Sequence, residues 1–429
     1  MKKTSYLVAL SALALASCGG SNGNNQSQNA QAPESNQTAQ QSSSAETNAP
    51  KNADGQQILE GTIDKNVTWK DLGLPVDYVV EGRLYLDGNS LVTIEPGVTI
   101  MFSGSDGSIE VGENAGIKMQ GTKDKPIVLT GPTNNQNVGS WDYVSIRSNR
   151  NDNILEYVEF KNGGAGQWLL DVVGKASIKN CTFDGASENG ISIGQDGSLI
   201  AFENNTIKNC KQYPLTFHNN RALKNFGAGN VFEGNGKQFI NCVDKYMEAE
   251  NETYAVHKAA VPYFFHDGLD IYNRVTVTFD PGVKIALNRN VAVGMGNGAI
   301  VKLKGTAAEP IVFDGAEDKP GYWEGITFDT NEEETAIEYV NISNLGNKDA
   351  DRAVFVGREF AGTFKNVNVS KIKAQNGIMF DYLDKSAKTR LENITVDNSP
   401  SNFKFIVNTT ENDETEQTAS SLADILKKL

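Results

Sequence analysis

The sequence predicts an all-β solenoid in which short strands stack coil upon coil. Residues 91–100 (LVTIEPGVTI) recur as residues 276–285 (TVTFDPGVKI). Apolar residues alternate in short bursts that Gly, Asn, Asp or Pro interrupt, and helical periodicity is almost absent before the C-terminus. A nearly fixed offset that carries short alternating strands is typical of a stacked repeat.

The two copies extend well beyond this phrase. GTKDKPIV (121–128) recurs as GTAAEPIV (305–312), WDYVSI (141–146) as WEGITF (323–328), and LEYV (155–158) as IEYV (337–340). We therefore predict two related halves, at about 58–160 and 250–345. Features that both halves share, such as Trp141 and Trp323, are expected to serve the scaffold, whereas a binding site is expected where the halves differ.

The segment between the halves shows the smallest repeat unit. Residues 169–173 (LLDVV), 190–194 (GISIG) and 214–218 (PLTFH) align at steps of about two dozen residues. Such a unit holds two or three short strands and Asn-rich corners, and stacking should superpose Leu170, Ile191 and Leu215 inside the coil. Corner Asn side chains can hydrogen-bond along the stack. An antiparallel β-sandwich pair is the alternative fold, which this step disfavours.

With these motifs the chain resembles right-handed parallel β-helix proteins of the pectate-lyase-like type, in particular bacterial surface lipoproteins with an L-T-I-E-P-G-V-x-I coil. The resemblance rests on the lead-in from Trp69 to Leu86, the repeated phrase, G-T-x-x-x-P-I-V and W-x-x-I. It implies a right-handed parallel β-helix over residues 58–410. It implies no single activity, because this fold hosts lyases, hydrolases, adhesins and binding proteins.

The N-terminus predicts export and lipid anchoring. Residues 1–17 combine Lys2 and Lys3 with a short apolar stretch, and residues 15–18 (LASC) resemble a bacterial lipobox. This predicts a lipoprotein signal peptide, with Cys18 acylated by palmitate or a similar chain; an ordinary secretory signal is the alternative. Gly19 after the Cys implies, by the same resemblance, the outer membrane, with the leaflet left open. Residues 18–57 are rich in Asn, Gln and Ser and are predicted to form a disordered tether.

Composition limits the partners. The formal charge of −14, without clustered Lys or Arg, argues against binding to nucleic acid or to anionic lipid, so the predicted membrane link is the lipid on Cys18. Three further cysteines, Cys181, Cys210 and Cys242, form neither a disulfide framework nor a zinc pattern and are predicted to be buried thiols.

Residues 411–429 are predicted to be an acidic tail with a short amphipathic helix. In SLADILKKL (421–429), Leu422, Ile425, Leu426 and Leu429 share one helical face. We expect this helix to dock on the last coil and close it; a partner-binding peptide is the alternative.

A candidate ligand-binding face lies between the two halves. If Leu170, Ile191 and Leu215 point inward, alternation turns their neighbours outward on one sheet face. An aromatic ring, a carboxylate, an imidazole and a guanidinium on one face could hold a glycan, with the Trp stacking on a sugar ring. A solvated sheet face is the alternative interpretation. The candidate residues are Trp168, Asp171, Thr216, His218, Asn219 and Arg221.

No catalytic residue is assigned. The N-T-D and G-H-G elements of β-helix galacturonases and the Arg-x-Pro-x-x-Arg pattern of pectate lyases are absent, so the sequence leans away from an enzyme. No cofactor or metal site is predicted. Calcium at acidic pairs such as Asp349/Asp351 or Glu332–Glu334 is the alternative, although these loops lack the periodic Gly-Asp of calcium-binding β-rolls.

Three functional hypotheses follow from these residues. The first is a lipid-anchored surface protein, without catalysis, whose sheet face binds a glycan such as a polysaccharide, a matrix component or a surface protein. The second is a polysaccharide lyase or glycoside hydrolase acting in a β-helix groove. The third is a structural envelope spacer that binds nothing.

Overall fold

The fold is an all-β parallel solenoid of about 13 turns. The structure is a computed structural model, and it describes residues 45–46, 49–248, 251–296, 298–347, 352–374, 376–381, 389–397, 405–408, 416–419, 421 and 423–424. Residues 44–429 form one compact unit. Its strands belong to three sheets, which we call the first, second and third sheet.

The first sheet has seven parallel strands in the N-terminal half. They are Ala45–Glu46, Val67–Trp69, Leu91–Ile94, Gly116–Gln120, Ile154–Glu156, Lys175–Lys179 and Ser198–Glu203. The first sheet ends with Ser198–Glu203. In the next coil a short 3-10 helix, Asn220–Asn225, follows the second-sheet strand Leu215–Phe217.

The second sheet has 23 strands and runs through both halves, so the two halves form one continuous solenoid. Its strands are Gln57–Ile63, Tyr78–Leu86, Thr99–Phe102, Ser108–Val111, Ile127–Thr130, Val144–Ile146, Val158–Gly163, Trp168–Val172, Thr182–Ala186, Asn189–Ile193, Thr206–Lys208, Leu215–Phe217, Val231–Glu233, Ile240–Cys242, Thr253–Val256, Tyr263–Phe265, Thr276–Phe279, Lys284–Leu287, Ile300–Lys304, Ile311–Gly315, Ala336–Ser343, Gly362–Ser370 and Thr389–Asp397.

The third sheet has eight strands in the C-terminal half. They are Tyr246–Glu248, Leu269–Tyr272, Ala292–Gly296, Gly325–Asp329, Arg352–Val356, Asn376–Phe380, Phe405–Asn408 and Glu416–Ala419. Only the last pair of this sheet is antiparallel, so the described strands exclude the alternative β-sandwich.

The predicted interior column is confirmed. Leu170 pairs with Ile191, and Ile191 pairs with Leu215, in parallel register. The column continues to Val144 on one side and to Ile240 on the other. All five side chains are fully buried, because alternation sends every second residue of each strand into the coil.

The shared Trp residues serve the scaffold, as predicted. Trp141 and Trp323 are both completely buried, and each indole N–H donates to a backbone carbonyl 20 residues downstream, at 2.8 Å in both halves. Trp141 also stacks on Phe102, with ring centroids 4.3 Å apart.

Asn residues form the corners, as predicted. Asn180, Asn204 and Asn209 hold positive φ angles, which Asn tolerates better than other side chains. The buried Asn205 accepts from the amide of Cys181 at 3.0 Å, and its own amide contacts Asn230 of the next coil at 3.2 Å. Each coil is thereby tied to its neighbour at the turn.

Several predicted segments lie outside the described residues. They include the signal peptide, Cys18, and most of the acidic tail and its helix; of that helix only Ser421, Ala423 and Asp424 are described. Within the predicted tether 18–57, Ala45–Glu46 pairs with Val67 and Thr68, so strand pairing begins before residue 58. No helix among the described residues is both long and apolar enough to cross a membrane.

Candidate functional site

One outward-facing row of the second sheet contains two of the predicted ligand-binding residues, Asp171 and Thr216. Its members pair in register on successive coils, about 4.8 Å apart, and we call them the outer row. They are Glu110, Ser145, Asp171, Ser192, Thr216, Asn241 and Phe264.

The outer row is less open than the sequence suggests. Ser192 and Thr216 are each only 1% exposed, although they point away from the apolar interior. Neighbouring groups therefore cover both side chains. Trp168 and His218 are half-buried there and meet edge to face, with ring centroids 5.6 Å apart.

Asp171 and His218 lie close enough to affect each other's ionisation. Burial raises the pKa of Asp171, and a hydrogen bond from the Ser192 hydroxyl and the charges of His218 and Arg147 oppose that effect. Burial lowers the pKa of His218, against the attraction of Asp171. Burial outweighs the mutual attraction for both groups, so the pKa of Asp171 is raised and the pKa of His218 is lowered.

Asn219 belongs to the scaffold. It is 2% exposed and caps the 3-10 helix by accepting from the amide of Ala222. Its side-chain amide donates to the carbonyls of Gly194 and Gly197 at 2.7 and 3.0 Å. We leave Asn219 out of the candidate site because these backbone groups engage both ends of its amide.

Arg221 is exposed in the 3-10 helix and acts electrostatically on Tyr254. The guanidinium whose charge influences Asp171 is that of Arg147. Sequence reasoning missed Arg147 because it lies in the repeated half, directly after the strand Val144–Ile146.

Aromatic rings extend the face downstream of His218. Phe264 lies in the outer row, and its ring contacts Tyr213, Phe239 and His266 at centroid distances of 6.2, 5.4 and 6.2 Å. Lys237 places its ammonium 4.4 Å from the centre of the Tyr213 ring. We call the full set the outer aromatic strip; it consists of Trp168, Tyr213, His218, Phe239, Phe264 and His266.

Period two could have revealed part of this strip. Phe264 in the run YFF occupies an outward position, which a purely structural strand would fill with a polar residue. Alternation within a strand does not reveal Tyr213 and Phe239, because both lie just before their strands begin.

Two polar groups of the outer row have no hydrogen-bond partner among the described residues. They are the hydroxyl of Ser145 and the side-chain oxygen of Asn241, and both residues are buried. Buried polar atoms normally have a partner. Both atoms have almost no accessible surface, so a molecule on the outer face does not reach them in this structure.

Comparison with known proteins agrees with this architecture. Residues 61–156 match the family model described as a pectate-lyase-like β-helix domain. The match covers the N-terminal half of the repeat and ends before the outer aromatic strip. No curated protein and no solved structure matches the chain.

No cluster of three or more His, Cys, Asp or Glu suited to a metal ion occurs among the described residues. Asp349 and Asp351, one of the acidic pairs considered for calcium, lie outside them. In the other acidic run, Glu334 lies 3.7 Å from the ammonium of Lys302.

Proposed function

We propose that this protein is a lipid-anchored bacterial surface β-helix that binds a glycan on its outer aromatic strip without cleaving it. The lipid on Cys18 would hold it at the outer membrane, and the tether would keep the solenoid away from the lipid surface. The β-helix architecture and the family match support the scaffold of this proposal.

The observation that carries the proposal is the aromatic strip itself. Exposed sheet faces are usually polar, whereas six aromatic or imidazole rings lie here beside a row of polar groups. A sugar ring offers an apolar face that packs on an aromatic side chain and hydroxyls that need polar partners. Trp168 is half-buried and would provide the stacking surface.

The polar groups fit the same ligand. Arg147 is exposed and Asp171 is half-buried, so both can pair with sugar hydroxyls. Because successive outer-row residues repeat at about 4.8 Å, the face suits a linear chain that lies along the solenoid.

Glycan-array screening followed by calorimetry on the purified full chain tests the proposal. We expect Trp168→Ala to weaken binding of the selected glycan by about tenfold, because a stacking contact contributes roughly 0.5–1.5 kcal/mol beyond the buried area. Ile200→Ala is the control, since Ile200 is an exposed apolar residue on the first sheet, outside both proposed sites.

Two results would overturn glycan binding on this strip: no array member binds, or Trp168→Ala binds as tightly as the unmodified chain. Release of reducing or unsaturated ends would instead support the enzyme alternative. That alternative has one observation in its favour: Glu110 and Asp171 share the outer row two coils apart, hence roughly 10 Å between their backbones.

A further inference from the structure

The third sheet carries a groove on its outer face, whereas the candidate site lies on the second sheet. Two adjoining cavities of about 250 and 240 Å³ open on it, and Thr327 lines both. The groove crosses the strands Leu269–Tyr272, Ala292–Gly296, Gly325–Asp329 and Arg352–Val356.

Glycine forms the floor of this groove. In register across the sheet, Asp270 pairs with Gly294, which pairs with Thr327. A Cβ on Gly294 would lie only 2.8 Å from the Asp270 carboxylate, so a side chain there would displace that group. The absent side chains at Gly294 and Gly296 leave room for a ligand between Asp270 and Asp329.

The walls already bind cations from the chain itself. At one end, the Lys245 ammonium lies 3.0 Å from the Asp270 carboxylate and 4.7 Å from the centre of the Tyr246 ring. At the other end, the Arg352 guanidinium lies 4.2 Å from the centre of the Phe355 ring. Carboxylates and aromatic faces together are the groups that hold an organic cation.

Between these ends lies a carboxylate without a cation. Among the described residues, Asp329 has one hydrogen bond, from the backbone amide of Glu359 at 3.3 Å, and no ion pair. Burial raises its pKa, and the nearby charges of Glu359 and Asp381 add to that effect. A positive ligand group at this position would relieve the repulsion.

We propose that the third-sheet groove binds a linear organic cation that bears protonated amines, with one ammonium on Asp329. Thr327 contributes a hydroxyl in the middle of the groove, and Tyr272 forms part of its wall. The chemistry suits a free polyamine or an oligomer of amino sugars, and the experiment separates these sources.

Calorimetry on the full chain at low salt tests this with three probes: spermidine, a trimer of glucosamine, and the same trimer N-acetylated. We expect at least one amine probe to bind and the N-acetylated trimer not to bind. Binding of spermidine alone indicates a polyamine, and binding of the glucosamine trimer alone indicates an amino sugar.

Two substitutions locate the binding. Asp329→Asn removes one charge at constant shape, and Thr327→Phe fills the groove at constant charge; each should weaken binding at least about tenfold. Glu334→Gln is the control for the acidic surface, because this carboxylate is exposed and lies outside the groove. Thermal melting of each variant confirms that the fold is retained.

The inference fails if neither amine probe binds, if the N-acetylated trimer binds as well as the free amine, or if Asp329→Asn and Glu334→Gln have the same effect. Trp168→Ala should leave amine binding unchanged. Loss of glycan binding on the outer aromatic strip would therefore leave this inference standing, and the reverse also holds.

Discussion

At the scale of single residues, burial decides the chemistry of this protein's reactive groups. Cys181, Cys210 and Cys242 are free thiols with almost no exposed surface. Burial raises the pKa of Cys181 and of Cys210 to about 12, so both remain protonated and unreactive near neutral pH. The sequence-based interpretation of these residues as small apolar fillers is confirmed by their positions.

The shifted pKa values of Asp171 and His218 predict opposite effects of pH on the stability of the fold. The pKa of folded Asp171 is raised, so its ionised form weakens the fold as the pH rises above the carboxyl's ordinary range. The pKa of His218 is lowered in the folded protein. The neutral imidazole therefore favours the fold above the ordinary imidazole range, and this stability is lost as the pH falls through the folded pKa. Asp171→Asn should therefore raise the melting temperature at about pH 7 but not at about pH 3.5.

His218→Gln should show the reverse pattern, with a gain at about pH 5 and little change at about pH 7.5. Scanning calorimetry of both variants from about pH 3.5 to about pH 7.5 measures how each change in melting temperature depends on pH. Equal shifts at all pH values would contradict the assigned balance between burial and charge.

At the scale of elements, the turns bind each coil to the next through side-chain amides. Asn205 donates to the carbonyl of Ile178 at 3.0 Å and accepts from the amide of Cys181 at 3.0 Å. Asn235 makes the same two kinds of contact one turn later, with the carbonyl of Ile207 and the amide of Cys210. The buried side-chain amides thus provide the hydrogen-bond partners of backbone groups at the turns, which strand pairing does not reach.

Replacing Asn205 by Leu should lower the free energy of unfolding by about 2–5 kcal/mol, because two buried backbone groups lose their partners. Urea unfolding followed by circular dichroism measures the change. Asn134→Leu, at an exposed Asn of a loop, should stay within about 0.5 kcal/mol. A small effect at Asn205 would show that its amide can be replaced by water.

The sequence predicted strands, corners and stacking because these follow from period two and a constant step. Leu170, Ile191 and Leu215 superpose as their spacing requires. The candidate site was predicted only in part. Trp168 and His218 meet, but Arg147 and Phe264 join the face through contacts between coils that no local pattern displays. Asn219 was a wrong choice for a ligand, because capping a 3-10 helix is a backbone requirement that polarity alone does not reveal.

At the scale of the whole molecule, one solenoid carries two surfaces with different chemistry. The outer aromatic strip lies on the second sheet, and the groove lies on the third sheet. The second sheet runs unbroken through both halves, so both surfaces belong to one compact unit. A ligand on each face could be bound at the same time.

Anchoring is tested on the whole chain in a bacterial host. The full chain should incorporate labelled palmitate and sediment with membranes, and Cys18→Ser should lose the label because the predicted acceptor thiol is gone. Cys210→Ser should keep the label, since that thiol is buried in the solenoid. A full chain that takes up no label would point to an ordinary secretory signal, and a label that survives Cys18→Ser would place the acyl chain on another residue.

The antiparallel strand at the C-terminal end limits how copies can associate. Phe405–Asn408 continues the stack in parallel, but Glu416–Ala419 then folds back on it. A second copy that paired with this strand would meet a segment of only four residues that runs opposite to the strand before it. Head-to-tail growth into filaments is thus discouraged by the direction of a single four-residue segment.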